Sequence, residues 1–403
     1  MPSTEESTSP SYGLTRISGS IQRERPDRVH TLPVTFVTPS KFRARAVDHL
    51  AVAIGTTKGL FFVSDGAIDG PFLAGDVVGA FAQLDERFLA ASTRLGHSPA
   101  VRASDDGGLS WNEPAAGQLP SSDPGQEPLT GLWQLHLDRR PSAVGTIWAG
   151  GEPAMLLRSE NSGASFELVR ALSEHPDRPS WEGGRGGLAL HSITTHPERS
   201  ERVVVAISSG GVYRSDDGGQ GWEACNEGIA ARELPGSSSK ALPNVHKLAV
   251  DAVNPDFLWA QATSGVYKTL DAGDHWEPVG HTGQPSGLPS EFGFPIVAHP
   301  EEPGTAYVLP LESGTYRCTP QGRCRVYRTT DGGLSWEALS DGLPSSNAHL
   351  TVLRDAFSVG SEPPFPLVFG SKSGHIFASV DSGDSWRLVA SYLPPVLCVR
   401  VLS

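Results

Sequence analysis

The chain has 403 residues and a formal net charge of −13, which argues against nucleic acid or an anionic membrane as a main partner. Its 45 Gly and 33 Pro, against two Met, predict a turn-rich β protein rather than a helical one. No run of 18 apolar residues occurs, so no membrane-spanning helix is expected.

Residues 1–31 are rich in Ser, Thr, Pro and charge and lack the apolar core of a secretory signal. They are expected to be a disordered tail on a cytoplasmic protein, with one folded domain from 32 to 403. The stretch LAVAIGTTKGLFFVSDGAIDG then reads as the middle strands of a β unit with a degenerate turn. Next comes the octet SDDGGLSW at Ser104–Trp111, with the form Ser/Thr-x-Asp-x-Gly-x-x-aromatic. It recurs as SENSGASF, SDDGGQGW, TLDAGDHW, TTDGGLSW and SVDSGDSW at spacings of 50 to 60 residues. The third position is Asp106, Asn161, Asp217, Asp271, Asp331 and Asp381.

A period of that length without a helical stripe means a solenoid or a propeller. Around the third copy, HSITTHP, RVVVAIS, GVYRSDDGGQGW and EACNEGI read as four short strands. With the unit upstream of the first octet there are seven such units. The predicted fold is an all-β, seven-bladed propeller with four-stranded blades. The C-terminal PPVLCVRVL has no blade of its own and is expected to complete the first one, pairing the N- and C-terminal strands. Six near-identical octets cannot each be a catalytic centre. The Asp is instead suited to accept N–H groups of its own turn, the Gly to supply a positive φ, and the aromatic to pack between blades. The spacing of Gly and the lack of a recurrent distal Glu argue against a Ca²⁺ loop.

The octets resemble the BNR/Asp-box family over about residues 32–403, and EPAMLLRS, GGLALHSI, VHKL, EFGFP and LPPVLCVR are similar to a bacterial group of single-propeller, sialidase-like proteins. That resemblance implies boxes on blade edges, away from the central pocket. It does not extend to true sialidases, which by the same resemblance carry six blades and an early Arg-Ile-Pro motif absent here. Xyloglucan hydrolases of this kind pair two propellers, and a photosystem assembly factor uses one as a binding platform.

Chemistry is therefore sought where the repeat is broken. Aligning the inner strands places Trp133, His191, His246 and Phe294 at one position per blade, facing the channel. The two imidazoles suit a divalent metal, an acid and base, or an anion; alternatively each bonds a neighbouring carbonyl. Glu152 and Glu312 end second strands where Ser208 or Lys372 stand in other blades. A Gly-rich insert from His175 to Ser192 offers Trp181 as a stacking wall and Arg185 as an anion clamp. HLTVLR adds His349 and Arg354, the latter also suited to a salt bridge, whereas His196 and His299 precede Pro and are read as structural. Cys225, Cys318, Cys324 and Cys398 are not a disulfide framework; Cys318 and Cys324 flank TPQGR and are expected as a reduced pair, with pairing or metal binding left open. Two functions remain. One is a small polar or carbohydrate-like ligand at the channel mouth, with hydrolase or lyase chemistry through His191, His246 and Glu152 and a divalent metal as an optional cofactor. The other is a non-catalytic protein-interaction or assembly scaffold.

Overall fold

The computed structural model describes residues 50–64, 66–121, 127–183, 186–231, 242–284 and 286–403; the expected tail at 1–31 lies outside them. Seven antiparallel sheets form successive blades I to VII around a central channel. The inner strands are Val396–Val401 in blade I, Val77–Leu84 in II, Gly131–Leu137 in III and Leu190–Thr195 in IV. Val245–Val250, Gly293–Ala298 and Phe357–Val359 follow in V, VI and VII. Among the described residues no helix is long and apolar enough to cross a membrane.

The second strands VVVAI, LWAQA and AYVLP are buried at every residue, because both faces of a blade pack on its neighbours and alternation is lost. Outer strands regain it: in Glu277–Val279 only Val279 is buried. The core is consequently a set of layers between blades. Trp148 packs with Tyr213 and Trp222 in one layer, and Trp259 with Tyr327 and Trp336 in another. Each such fully buried large side chain contributes about 1.5–3 kcal/mol.

Ring closure joins the two ends of the described chain. Ala51–Thr56 pairs antiparallel with Val396–Val401 in a register from Val52↔Val401 to Thr56↔Val396. The C-terminal strand is thus the inner strand of blade I, and the sheet order runs Val396–Val401, Ala51–Thr56, Gly59–Ser64, Ala67–Phe72.

Each octet is a hydrogen-bonded clasp. In the first, Ser104 Oγ donates to Asp106 Oδ1 at 2.8 Å and accepts from Gly108 N at 2.8 Å. Asp106 also accepts from Ser110 N at 3.0 Å, and Trp111 Nε1 donates to Gly108 O at 3.0 Å. Asn161 fills the same role: its Oδ1 accepts from Ser165 N at 2.9 Å and its Nδ2 donates to Ser165 Oγ at 2.9 Å. Acceptor geometry therefore suffices at this position.

Blade II differs from the four-stranded expectation. Its sheet has three strands; Asn112 N still donates to Ala103 O at 2.8 Å, and the edge of Ala100–Ser104 is closed at Val101 by a side chain. Gln118 Oε1 accepts from Val101 N at 2.9 Å while its Nε2 donates to Val101 O at 2.6 Å. The amide copies the two bonds a strand would make and also reaches Gly163 O of blade III at 3.0 Å. His196 and His299 act alike at the ends of inner strands: each Nδ1 accepts two turn N–H groups, from Glu198 and Arg199 and from Glu301 and Glu302.

Candidate functional site

The residues that face the channel mouth are placed there by β-bulges. In blade III the register passes from Leu132↔Gly151 to Gln134↔Gly150, which leaves Trp133 unpaired. In blade IV it skips His191, and in blade V it skips His246. Blade VI passes from Gly293 to Ile296 against a single intervening Leu309, which frees Phe294. Blade II skips Gly79 and blade I skips Leu397. An extra residue in one strand bends it and re-aims its side chain, here in six of the seven inner strands; Phe357–Val359 of blade VII pairs without a shift. Gly79 has no side chain to offer because a Cβ there would strike the carbonyl of Leu132. Residues just after the bulge bridge the blades: Gln134 Oε1 accepts from Ile193 N and Ser192 Oγ from Leu248 N, both at 2.9 Å.

The two histidines at this level are not equivalent. His246 Nδ1 lies 2.6 Å from Gly293 O, which can only accept, so that nitrogen carries the proton. Its Nε2 then accepts from Thr263 Oγ1 at 3.1 Å, and the ring packs against Phe292 and Phe294. Burial, then the charge of Arg354, push its pKa down to about 3. His246 thus takes the alternative in which the imidazole bonds a neighbouring carbonyl. His191 is only 2 % exposed, yet neither ring nitrogen completes a hydrogen bond. Burial and then the charge of Arg354 hold it well below the usual histidine range, and the nearby His246 backbone only partly opposes this.

Beside Trp133 stands a carboxylate held on two sides. Glu152 Oε2 accepts from Trp133 Nε1 at 2.7 Å. Its other oxygen abuts Gly187, at the end of the Gly-rich insert, where φ is +83° and a Cβ would run into the carboxylate. Arg354 lies with its guanidinium carbon 4.8 Å from the centroid of Phe294, and Arg317 approaches the same ring at 5.5 Å. Arg354 Nε is buried without a hydrogen-bond partner. Burial brings the Arg354 pKa down to about 10, with Asp355 and Glu152 supporting its charge and Arg317 opposing it.

Deeper in the channel, Lys247 Nζ donates to Asp355 Oδ1 at 2.8 Å and Arg400 reaches the same oxygen at 3.4 Å. Burial lowers the Lys247 pKa against the pull of Asp355. Arg317, Arg354, Lys247 and Arg400 thus gather with Glu152 and Asp355 around the channel. Arg317, Lys247, Asp355 and Arg400 were absent from the sequence-based candidates. The available signal was a lysine in VHKL where neighbouring inner strands carry Ser192 or Gln134.

Other candidates lie elsewhere. Trp181 is no stacking wall: it is 6 % exposed, its Nε1 donates to Tyr213 Oη at 2.8 Å, and Arg178 covers its ring at 4.9 Å. It anchors the insert in the layer between blades III and IV. Arg185 lies outside the described residues. Glu312 is exposed, and its N–H donates to Cys318 O at 2.7 Å. His349 is exposed and its Nδ1 pairs with Tyr316 Oη at 2.9 Å. All four cysteines are free thiols. Among the described residues no group of three or more His, Cys, Asp or Glu is gathered to hold a metal ion.

No protein-family model matches the chain. A photosystem II assembly lipoprotein, Ycf48, of Synechococcus sp. (strain CC9902) is 26% identical over 184 residues, 45% of this chain and 46% of that protein. A probable oligoxyloglucan-reducing end-specific xyloglucanase of Neosartorya fischeri is 27% identical over 167 residues, 40% of this chain and 18% of that one. The matched part is thus under half the length of either curated relative. Among solved structures, the GH74 xyloglucanase from Xanthomonas campestris superposes with a TM-score of 0.58 at 16% identity, covering 88% of this chain and 54% of that one. Ycf48 bound to a D1 peptide gives 0.51 at 14% identity, covering 86% and 85%. What they share with this chain is the propeller.

Proposed function

We propose that this chain is an Asp-box propeller that binds a small, anionic, carbohydrate-like ligand at the channel mouth. The reading rests on Arg354, a buried guanidinium over Phe294 whose Nε has no partner, beside Arg317. A ligand carboxylate would take the N–H groups of Arg354, and Trp133, braced by Glu152, would meet the body of a sugar ring. His191 would serve as a neutral hydrogen-bond partner. Binding is favoured over hydrolysis because an imidazole held so far below its ordinary range is a poor base near neutral pH. The xyloglucanase relative supports a carbohydrate-like ligand.

The test is thermal unfolding and calorimetry with glucuronate and glucose. Glucuronate is expected to raise Tm and to lose at least tenfold in affinity in Arg354→Gln, with glucose inert. If uronates neither bind nor stabilise the wild type, this reading fails. The second reading, an interaction scaffold, is supported by the assembly-factor relative and by the peptide in its similar structure. It is favoured if peptides with a free C-terminal carboxylate bind and their amides do not, while uronates remain inert.

A further inference from the structure

We propose that the opposite end of the channel is a second, independent ligand site, suited to a phosphorylated small metabolite. A cavity of about 590 Å³ opens there, within the range of about 300–1,000 Å³ typical of small-molecule sites. Its wall is made by the far ends of inner strands, including Leu137, Thr195, Val250, Val359 and Val401. Thr195 stands four residues beyond His191, so the two sites are separated by about 13 Å at ~3.3 Å per residue.

The wall's side chains have a consistent sign. Among the described residues no Asp or Glu lines the cavity, whereas His136, Arg139, Arg140 and Arg400 do, with Ser358 and Ser361. Arg140 is already matched: its Nε donates to Asp138 at 2.7 Å, and its other nitrogens bind Asp138 and the Ser200 carbonyl. Arg139 is exposed. Arg400 shares Asp355 with Lys247, which holds the closer position at 2.8 Å against 3.4 Å, so one positive charge of that trio is left unmatched. Ser403 at the rim is tied to Gln83 by two hydrogen bonds of 3.0 and 3.1 Å. Two guanidiniums with hydroxyl donors and no opposing side-chain carboxylate match a phosphate dianion, whose oxygens accept bidentate guanidinium bonds. His136 is fixed in this wall by Thr195 Oγ1 at 3.0 Å from its Nε2, and the charges around it are Asp138, Lys247, Arg400 and Arg140.

The probe is inorganic phosphate, titrated into the full-length protein at constant ionic strength and followed by calorimetry and by the His136 imidazole resonance. Saturable binding is expected, with the His136 pKa rising from about 4 as the anion adds negative charge. Arg139→Gln/Arg400→Gln should weaken phosphate at least tenfold. Arg354→Gln, at the other mouth, should leave phosphate binding unchanged, so this site and the mouth site stand or fall separately. If the double variant does not fold, Arg139→Gln alone carries the test with an expected loss of about threefold. The proposal is overturned if His136 does not respond saturably, if acetate and chloride act as phosphate does, or if the folded variants keep wild-type affinity.

Discussion

Lys247 and Asp355 meet across the channel at 2.8 Å from positions 108 residues apart, joining blade V to the chain that leads into blade VII. Both side chains are largely buried, with relative exposures of 11% and 6%. Removing one partner leaves the other charge desolvated and uncompensated. Asp355→Leu is therefore expected to cost about 3–5 kcal/mol, and Lys247→Met/Asp355→Leu to recover most of that loss. Urea denaturation of the two variants checks it; equal stability of single and double variants would count against the pair.

Acid should destabilise the fold through its histidines before its carboxylates. Burial is the first cause holding His136 at about 4, His246 at about 3 and His191 well below its usual range. An unfolded histidine titrates near 6.5, so the unfolded state binds more protons as pH falls. The stabilisation is fully present above about pH 6.5 and is lost on descent towards the folded values, each histidine contributing at most about 1.4 kcal/mol per pH unit. Unfolding free energies from urea denaturation at pH 7, 5.5 and 4.5 should fall by about several kcal/mol in total, and His246→Gln should flatten the slope. A profile flat to pH 4.5 would contradict the assignment.

The octets are expected to tolerate amide better than truncation. Asp331 accepts from Thr329 Oγ1 at 2.8 Å and Ser335 N at 3.0 Å, so Asp331→Ala strands these donors and should cost about 1–2 kcal/mol. Asp331→Asn should cost well under half of that, because Asn161 already serves in blade III. Ligand binding should be unchanged in both. Thermal unfolding of the pair decides.

Gln118→Ala exposes the backbone of Val101 at the edge of the only described three-stranded blade. A loss of about 1–3 kcal/mol is expected, with faster amide exchange at Val101 and a tendency to associate through the open edge. Unchanged exchange at Val101 would show that another group pairs it.

Gly187→Ala tests the support of Glu152. The positive φ and the adjacent carboxylate both oppose a methyl group, so Glu152 should be pushed from Trp133. The expected readout is altered Trp133 fluorescence together with roughly tenfold weaker ligand binding, about 1.4 kcal/mol. An unaltered spectrum would place Glu152 elsewhere in solution.

The architecture was legible because it is written in local repetition: six octets and a spare terminal strand define the ring without any long-range knowledge. The alignment of Trp133, His191, His246 and Phe294 was legible for the same reason, since a bulge at a constant strand position leaves a constant spacing. Partners were not. The sequence left open whether His246 bonds a carbonyl, because Thr263 and Gly293, which engage it, lie 17 and 47 residues away. Trp181 looked exposed in a Gly-rich insert because its acceptor, Tyr213, belongs to the third strand of blade IV. Arg317, Lys247, Asp355 and Arg400 were not legible because each is ordinary alone and gains meaning only beside the others.

The bulges carry an evolutionary consequence. A bulge residue takes no part in the ladder, so strand pairing itself places no demand on the side chains of Trp133, His191, His246 and Phe294. Of the four, His191, His246 and Phe294 are buried, so Trp133 is the position where natural variation or library selection would retarget the channel mouth at least cost to folding.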